Sequence, residues 1–144
     1  MIEVYTDGSC LGNPGVGGWA FLAIKENKLT SKSGFDKNTT NNRMELHAAI
    51  EALEFLKDEK ILIIYTDSNY LKNGISSWIS SWEKNNWLNS KKKPVKNKDI
   101  WIKLAALTKD KNITWKWVKA HDENKFNNMV DDLARKEAES ALKL

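Results

Sequence analysis

Cysteine is all but missing from this chain: Cys10 stands alone among 144 residues. No internal disulfide can form, and a reducing, cytoplasmic compartment is the expectation. Proline occurs twice, at Pro14 and Pro94, and arginine twice, at Arg43 and Arg135. Lysine therefore supplies nearly all the positive charge, as compact point charges rather than the bidentate forks of arginine. No apolar run approaches the roughly 20 residues that span a bilayer. The opening Met1-Ile2-Glu3-Val4-Tyr5 also lacks the basic-then-apolar order of a signal peptide, so no membrane partner is expected. Hydrophobic residues at 41% and charged residues at 29% exclude a disordered chain. The length suits one domain, residues 1–144, able to bury a substantial core, and a monomer is expected.

Acid is locally absent too. From Lys84 to Lys98 there is no Asp or Glu, while Lys84, Lys91, Lys92, Lys93, Lys96 and Lys98 all fall inside. Such a run is often only a solvated face. Here Trp78, Trp82 and Trp87 lead into it. A handle-like basic arm over about residues 78–98, with aromatic residues at its base, suits a phosphate backbone.

What is present begins with Ile2-Glu3-Val4-Tyr5-Thr6-Asp7-Gly8-Ser9, a strand of β-branched and aromatic residues that delivers Asp7 at its carboxyl end. The device repeats at Ile61-Leu62-Ile63-Ile64-Tyr65-Thr66-Asp67-Ser68, an apolar run without alternation, as a strand buried on both faces would be. Two such strands side by side would pair two carboxylates, which repel unless protonated or bridged by cations; Mg²⁺ is the expected cation. Between them, Gly12 to Gly18 reads as a turn-rich loop, Trp19 to Ile24 as a second strand and Lys28 to Phe35 as a polar edge strand. Strands one to three then form an antiparallel meander.

Thr39-Thr40-Asn41-Asn42 offers helix-capping side chains. Met44, Leu46, Ala48, Ala49, Ile50, Leu53 and Leu56 follow at helical spacing. Glu45 interrupts that apolar face in the first turn, where a glutamate commonly serves only the helix dipole. Strand, helix and strand make a parallel crossover. Ser68 caps a short helix through Leu71 that Gly74 stops, and Ile75, Trp78, Ile79 and Trp82 form another. Asp99 to Leu107 is a helix, Ile113 to Val118 a fifth strand whose tryptophans pack in the core, and Val130 to Leu142 a terminal helix with Asp131 in its early part. Four carboxylates thus fall on two strand ends and two helix starts: Asp7, Glu45, Asp67 and Asp131.

In their contexts, Tyr-Thr-Asp-Gly-Ser, Thr-Thr-Asn-Asn-Arg-Met-Glu-Leu, Tyr-Thr-Asp-Ser and Asp-Asp-Leu-Ala-Arg, the chain closely resembles the bacterial type 1 ribonuclease H family. The likeness runs through the Lys91-Lys92-Lys93-Pro94-Val95-Lys96-Asn97 arm and the Val118-Lys119-Ala120-His121 segment. It implies an α/β, ribonuclease H-like fold: a five-stranded mixed sheet, three strands antiparallel then two parallel, with helices on both faces. It implies endonucleolytic cutting of RNA paired to DNA, leaving 5′-phosphate and 3′-hydroxyl ends. Asp7, Glu45, Asp67 and Asp131 would hold two Mg²⁺ ions, with Mn²⁺ as a substitute, and two hard cations can activate a water and stabilise the leaving oxygen.

The resemblance also makes His121 an accessory proton carrier on a loop where relatives have a glycine in place of Ala120. It puts Asn13, Asn41 and Asn42 along the minor groove and Cys10 and Asn69 near the RNA strand, where the 2′-hydroxyl is read. Thr40 and Asn97 match a DNA-phosphate pocket, with Asn38 standing where relatives often have arginine. Trp78, Lys84, Lys91, Lys92, Lys93 and Lys96 form the arm. A non-catalytic hybrid-binding module would keep the arm and lose the carboxylates. A transposase or Holliday-junction nuclease of the same fold would lack the arm and the Asn-Asn-Arg-Met-Glu run.

Overall fold

The computed structural model describes residues 1–119 and 123–144. In chain order the elements are β1 (Ile2–Leu11), β2 (Gly15–Lys25), β3 (Lys28–Thr39), α1 (Asn41–Phe55) and β4 (Ile61–Thr66), then α2 (Asn69–Asn73), a π-helical turn (Gly74–Trp78) and α3 (Ile79–Lys84). After the arm come α4 (Lys98–Thr108), β5 (Asn112–Trp117) and α5 (Lys125–Leu142). The sheet order is β3-β2-β1-β4-β5. The β1–β2 and β2–β3 pairs are antiparallel, while β1–β4 and β4–β5 are parallel. The expected meander and crossover are both present. Gly15, Gly17 and Gly18 belong to β2 rather than to a loop, paired with β1 and β3, and β3 runs on to Thr39.

Two helical layers cover the sheet unequally. Apolar residues of α1 and α4, including Leu46, Leu53, Trp101 and Leu104, close over Val4, Phe21, Leu62 and Ile64. On the other face Val130 and Ala134 of α5 meet Tyr5, Ala20 and Leu22. α5 packs mainly on β1, β2 and β3 and reaches β4 only at Tyr65, near the strand's end. This corrects the expectation that β4 is buried on both faces. Leu62, Ile64 and Thr66 are buried, while Ile63 and Tyr65 between them are only half-buried, the alternation of a strand covered on one side. The tryptophans of β5 divide similarly. Trp115 packs against the main core. Trp117, expected there too, is 43% exposed at the strand's end, with the Lys72 ammonium above its ring.

Gly74 does not stop the helix. Its dihedrals are right-handed helical, φ −62° and ψ −48°, and α2 runs through the π-helical turn into α3. A side chain is missing there because the Trp101 ring lies against the Cα: a Cβ would collide with the ring's outer edge. Trp101 is fully buried and sits at the centre of an aromatic ladder. Tyr70 and Trp82 contact it at centroid distances of 5.3 and 5.6 Å, and Trp78 and Trp87 extend the ladder from Tyr70 and Trp82. The arm, residues 85–97, leaves this ladder and closes on itself through the Leu88–Pro94 bridge.

Two effects oppose each other in Gly74→Ala. Helix propensity favours Ala over Gly by roughly 1 kcal/mol, whereas overpacking a filled core costs about 1–3 kcal/mol or more. Against an indole ring the collision dominates. Urea denaturation is expected to give a net destabilisation that shrinks when Trp101→Phe is already present, because the colliding outer ring is then gone. A stabilised single variant would contradict this packing.

Candidate active site

The parallel register of β1 and β4 pairs Tyr5 with Tyr65, which sets Asp7 and Asp67 at corresponding positions two residues further on. β4 ends at Thr66, so Asp67 lies just beyond its carboxyl end, as expected. Asp7 is not at a strand end: β1 continues to Leu11 through its pairing with β2, in which Asp7 faces Ala20. It stands where β1 outruns its parallel neighbour. Gly8 brings in the third group. The first turns of α1 lie so close to β1 that a Cβ on Gly8 would collide with the backbone at Met44 and Glu45. That approach sets Glu45 beside Asp7. Thr40 is the N-cap of α1, its Oγ1 accepting the Arg43 N–H at 3.2 Å, so Glu45 falls beyond the first turn. It is 5% exposed, and the helix dipole does not account for it.

Carboxylate oxygens of Asp7, Glu45 and Asp67 lie within 4.8 Å of one another. Asp131, in the second turn of α5, lines the same open cleft of about 420 Å³ and pairs with Arg135 at 3.5 Å. Burial above all, then the charge of Asp67, pushes the Asp7 carboxyl up to about 8, although a hydrogen bond with Glu45 counteracts in part. Burial first, then Asp7 and Asp67, holds Glu45 well above the usual carboxylate range. The Gly8 N–H donates to Asp7 Oδ1 at 2.9 Å. Glu45 Oε2 is buried with no donor among the described residues. A buried, mutually repelling set of oxygen ligands fits a hard divalent cation, which would relieve both the repulsion and the undonated oxygen.

Asn41, Asn42 and Asn69 also line the cleft. Asn13 Oδ1 accepts the Asn41 N–H at 3.1 Å, so Asn13 helps to cap α1 from the β1–β2 turn. Cys10 is half-buried, its Sγ 3.6 Å from the Thr39 carbonyl oxygen. Asn97 is held on both sides of its amide: Oδ1 accepts from Arg43, and Nδ2 donates to the Tyr70 hydroxyl at 3.0 Å. Arg43 is itself clamped by Asp99. Trp78 is half-buried within the aromatic ladder. Lys84, Lys91, Lys92, Lys93 and Lys96 are exposed, and none forms an ion pair with a described residue. A hollow of about 680 Å³ in the arm is lined by Lys84 and Lys92 and contains no carboxylate. His121 and Ala120 lie outside the described residues.

Sequence reading missed two neighbours of the cluster. Tyr70 lines the cleft and ties it to the arm. Asn127, one helical turn before Asp131, donates from Nδ2 to Asp67 Oδ2 at 3.4 Å. Its i, i+4 spacing from Asp131 was the available signal.

A rigid sheet edge that concentrates carboxylates next to an exposed lysine arm is equipment for attacking a phosphodiester. Fold and cleft together define a nuclease of the ribonuclease H-like class. An RNase H family model matches residues 1–139. The chain is 51% identical over 141 residues to the ribonuclease H of Actinobacillus succinogenes and to the ribonuclease HI of Haemophilus influenzae, covering 97% of this chain and 91% of each relative. Among solved structures, LC9-RNase H1, a type 1 RNase H with the type 2 active-site motif, superposes with a TM-score of 0.85 at 26% identity, covering 96% of this chain and 72% of that one. The chain belongs to the ribonuclease H family. It is an enzyme, an endonuclease that hydrolyses the RNA of RNA–DNA hybrids.

The raised carboxyls carry a pH signature. Between the ordinary value of 3.8 and about 8, folded Asp7 keeps a proton that the unfolded chain has lost. Without metal, folded stability therefore falls as pH rises through that window. Asp7→Asn removes the titration. In metal-free thermal melts the variant should gain on wild type progressively from pH 3.8 to about 8. Adding Mg²⁺ should then raise the wild-type Tm and leave that of the variant nearly unmoved. Parallel Tm curves for the two proteins across this range would rule out the raised Asp7 carboxyl.

Proposed function

We propose that Asp7, Glu45, Asp67 and Asp131 hold two divalent ions, Mg²⁺ with Mn²⁺ as a substitute, and that cleavage leaves 5′-phosphate and 3′-hydroxyl ends. The reading is carried by the three carboxylates whose oxygens lie within 4.8 Å of one another, with Glu45 Oε2 buried and without a donor among the described residues. The donor set is entirely oxygen, which suits Mg²⁺ over a softer metal. When bound, the ions supply the Lewis acidity that activates water and steadies the departing oxygen of an in-line displacement. The chain's own part is positional. β1 and the end of β4 hold Asp7 and Asp67 in register, α1 presents Glu45 over Gly8, and Asp131 completes the acidic lining from α5. His121 acts as an accessory proton donor or acceptor and not as a ligand.

The hybrid lies across the cleft. Asn13, Asn41 and Asn42 follow the minor groove, Cys10 and Asn69 meet the RNA strand, and Thr40 and Asn97 hold a DNA phosphate. Trp78, Lys84, Lys91, Lys92, Lys93 and Lys96 engage the backbone through the arm. The lysines' lack of an ion pair among the described residues supports this role, since a phosphate has no carboxylate to displace. One chain supplies the whole acidic set, which supports a monomer as the working unit. The lone Cys10 supports a reducing cytoplasm, and no described helix is long and apolar enough to cross a membrane.

The test is a panel of RNA–DNA hybrid, double-stranded RNA and double-stranded DNA, each with Mg²⁺ and with chelator. Only the RNA of the hybrid should be cut, only with metal, and the fragments should carry ends that a polymerase extends. Cutting that persists in chelator would remove the cation from the reading.

Replacing Lys91, Lys92 and Lys93 together by Ala should raise KM and leave kcat within about twofold. The log–log dependence of affinity on salt should become shallower by up to about 0.9 for each phosphate that the variant no longer neutralises. An unchanged slope together with an unchanged KM would return the lysine run to a merely solvated face.

A further inference from the structure

Asn127 is a buried polar side chain bonded to the acidic cluster whose presence folding alone does not explain. It is 1% exposed on the first turn of α5. Its backbone N–H is already satisfied by the Asn124 side chain at 2.9 Å, so the amide is not needed to start the helix. That amide is half used. Nδ2 donates to Asp67 Oδ2 at 3.4 Å, whereas Oδ1 is buried with no donor among the described residues. A buried polar atom without a partner destabilises the fold, and an apolar group of similar shape avoids that cost. On stability grounds a leucine would serve better at this position.

We propose that Asn127 is a positioning residue, fixing the orientation of the Asp67 carboxylate and, through it, the seat of α5 on the sheet. Asp67 follows the last residue of β4 and lacks the strand pairing that holds Asp7. Its backbone carbonyl accepts the Trp117 indole N–H at 3.3 Å, but its carboxylate oxygens must be aimed by a side chain. Only a donor can do this beside a carboxylate, so an amide nitrogen fits and a further acid would repel. Asn127 and Asp131 are four residues apart on one helix, so the same bond that aims Asp67 also sets the rotation at which α5 presents Asp131 to the cleft. Hydrogen bonds to metal-ligating carboxylates tune affinity by orienting the oxygens, and their removal typically costs 10–100-fold in affinity or activity. The inference rests on the reading of Asp67 as a metal ligand.

The test uses the full chain with Asn127→Leu and Asn127→Ala, and Asp67→Asn as reference. Two quantities are measured: the Mg²⁺ concentration at the midpoint of the rise in Tm without substrate, and kcat and KM on an RNA–DNA hybrid. Asn127→Leu should melt at or above the wild-type temperature without metal, and Asn127→Ala slightly below it. Both should need about tenfold more Mg²⁺ and show kcat reduced about tenfold, with KM nearly unchanged. Wild-type Mg²⁺ midpoint and kcat in Asn127→Leu would overturn the proposal. So would a large drop in metal-free stability in that variant, since the residue would then be structural. If Asp67→Asn itself keeps the wild-type Mg²⁺ response, the ligand reading of Asp67 fails instead.

Discussion

Carboxylates forced together out of water repel one another, and the protein around this cleft is organised to hold them there. Asp7 and Glu45 are 3% and 5% exposed, and with Asp67 their oxygens lie within 4.8 Å. Solvent screens such a set poorly, and the charged forms lose hydration as well. Burial, then the neighbouring charges, therefore holds the carboxyls of Asp7 and Glu45 above the usual range, and a shared cation would relieve the same repulsion. A flexible scaffold would relieve the strain by moving them apart. This one uses a sheet whose register is specified on both sides of β1, and a helix pressed onto Gly8 closely enough to leave no room for adjustment.

The rigidity is assembled away from the acids. Trp101, Leu104, Leu46 and Leu53 fill the space between helices and sheet, where burial of each large side chain contributes about 1.5–3 kcal/mol. Lys111 adds a polar fastening at the opposite end of the sheet. Its ammonium donates to the carbonyls of Leu56, Lys57 and Glu59, pinning the turn that leads from α1 into β4. The Asn112 N–H bonds to the Lys60 carbonyl at 2.7 Å and ties β5 in beside β4. A one-residue slip of β4 would turn its side chains to the other face and carry Asp67 away from Asp7. Fastening the entry of β4 thus protects geometry at its exit.

The arm is joined to this frame by different forces. Its root is aromatic packing from Trp101 through Trp82 to Trp87, and its tip is ordered by Asn89, whose Oδ1 accepts from the backbone of Lys91 and Lys93. Neither set of interactions involves the carboxylates. Arg43, Asn97 and Tyr70 link the two regions, running from the helix that carries Glu45 to the exit of the arm and back to the cleft wall. The arm and the acidic cleft are therefore supported by separate interactions that meet at one short hydrogen-bonded chain.

Much of this was legible in the residues alone. Alternating and apolar runs marked the strands, and the Thr40 cap and the spacing of Met44 to Leu56 marked α1. The repeated Tyr-Thr-Asp marked the paired acids. These are local signals, because period, cap and turn chemistry act over a few residues. What misled was every feature decided by a distant partner. Gly74 reads as a helix stop because its reason, the ring of Trp101, lies 27 positions away in the chain. β4 reads as doubly buried because nothing within it tells where α5 lies. Trp117 reads as core because alternation gives the face and not the edge at which cover ends. The role of Asn127 is invisible until α5 is set against the end of β4. Composition and periodicity determined the elements, the acids and the basic arm, since those depend on neighbours in sequence. Only tertiary structure decided which acids share one pocket, which groups aim them and which faces stay open, since those depend on how separate elements approach in space.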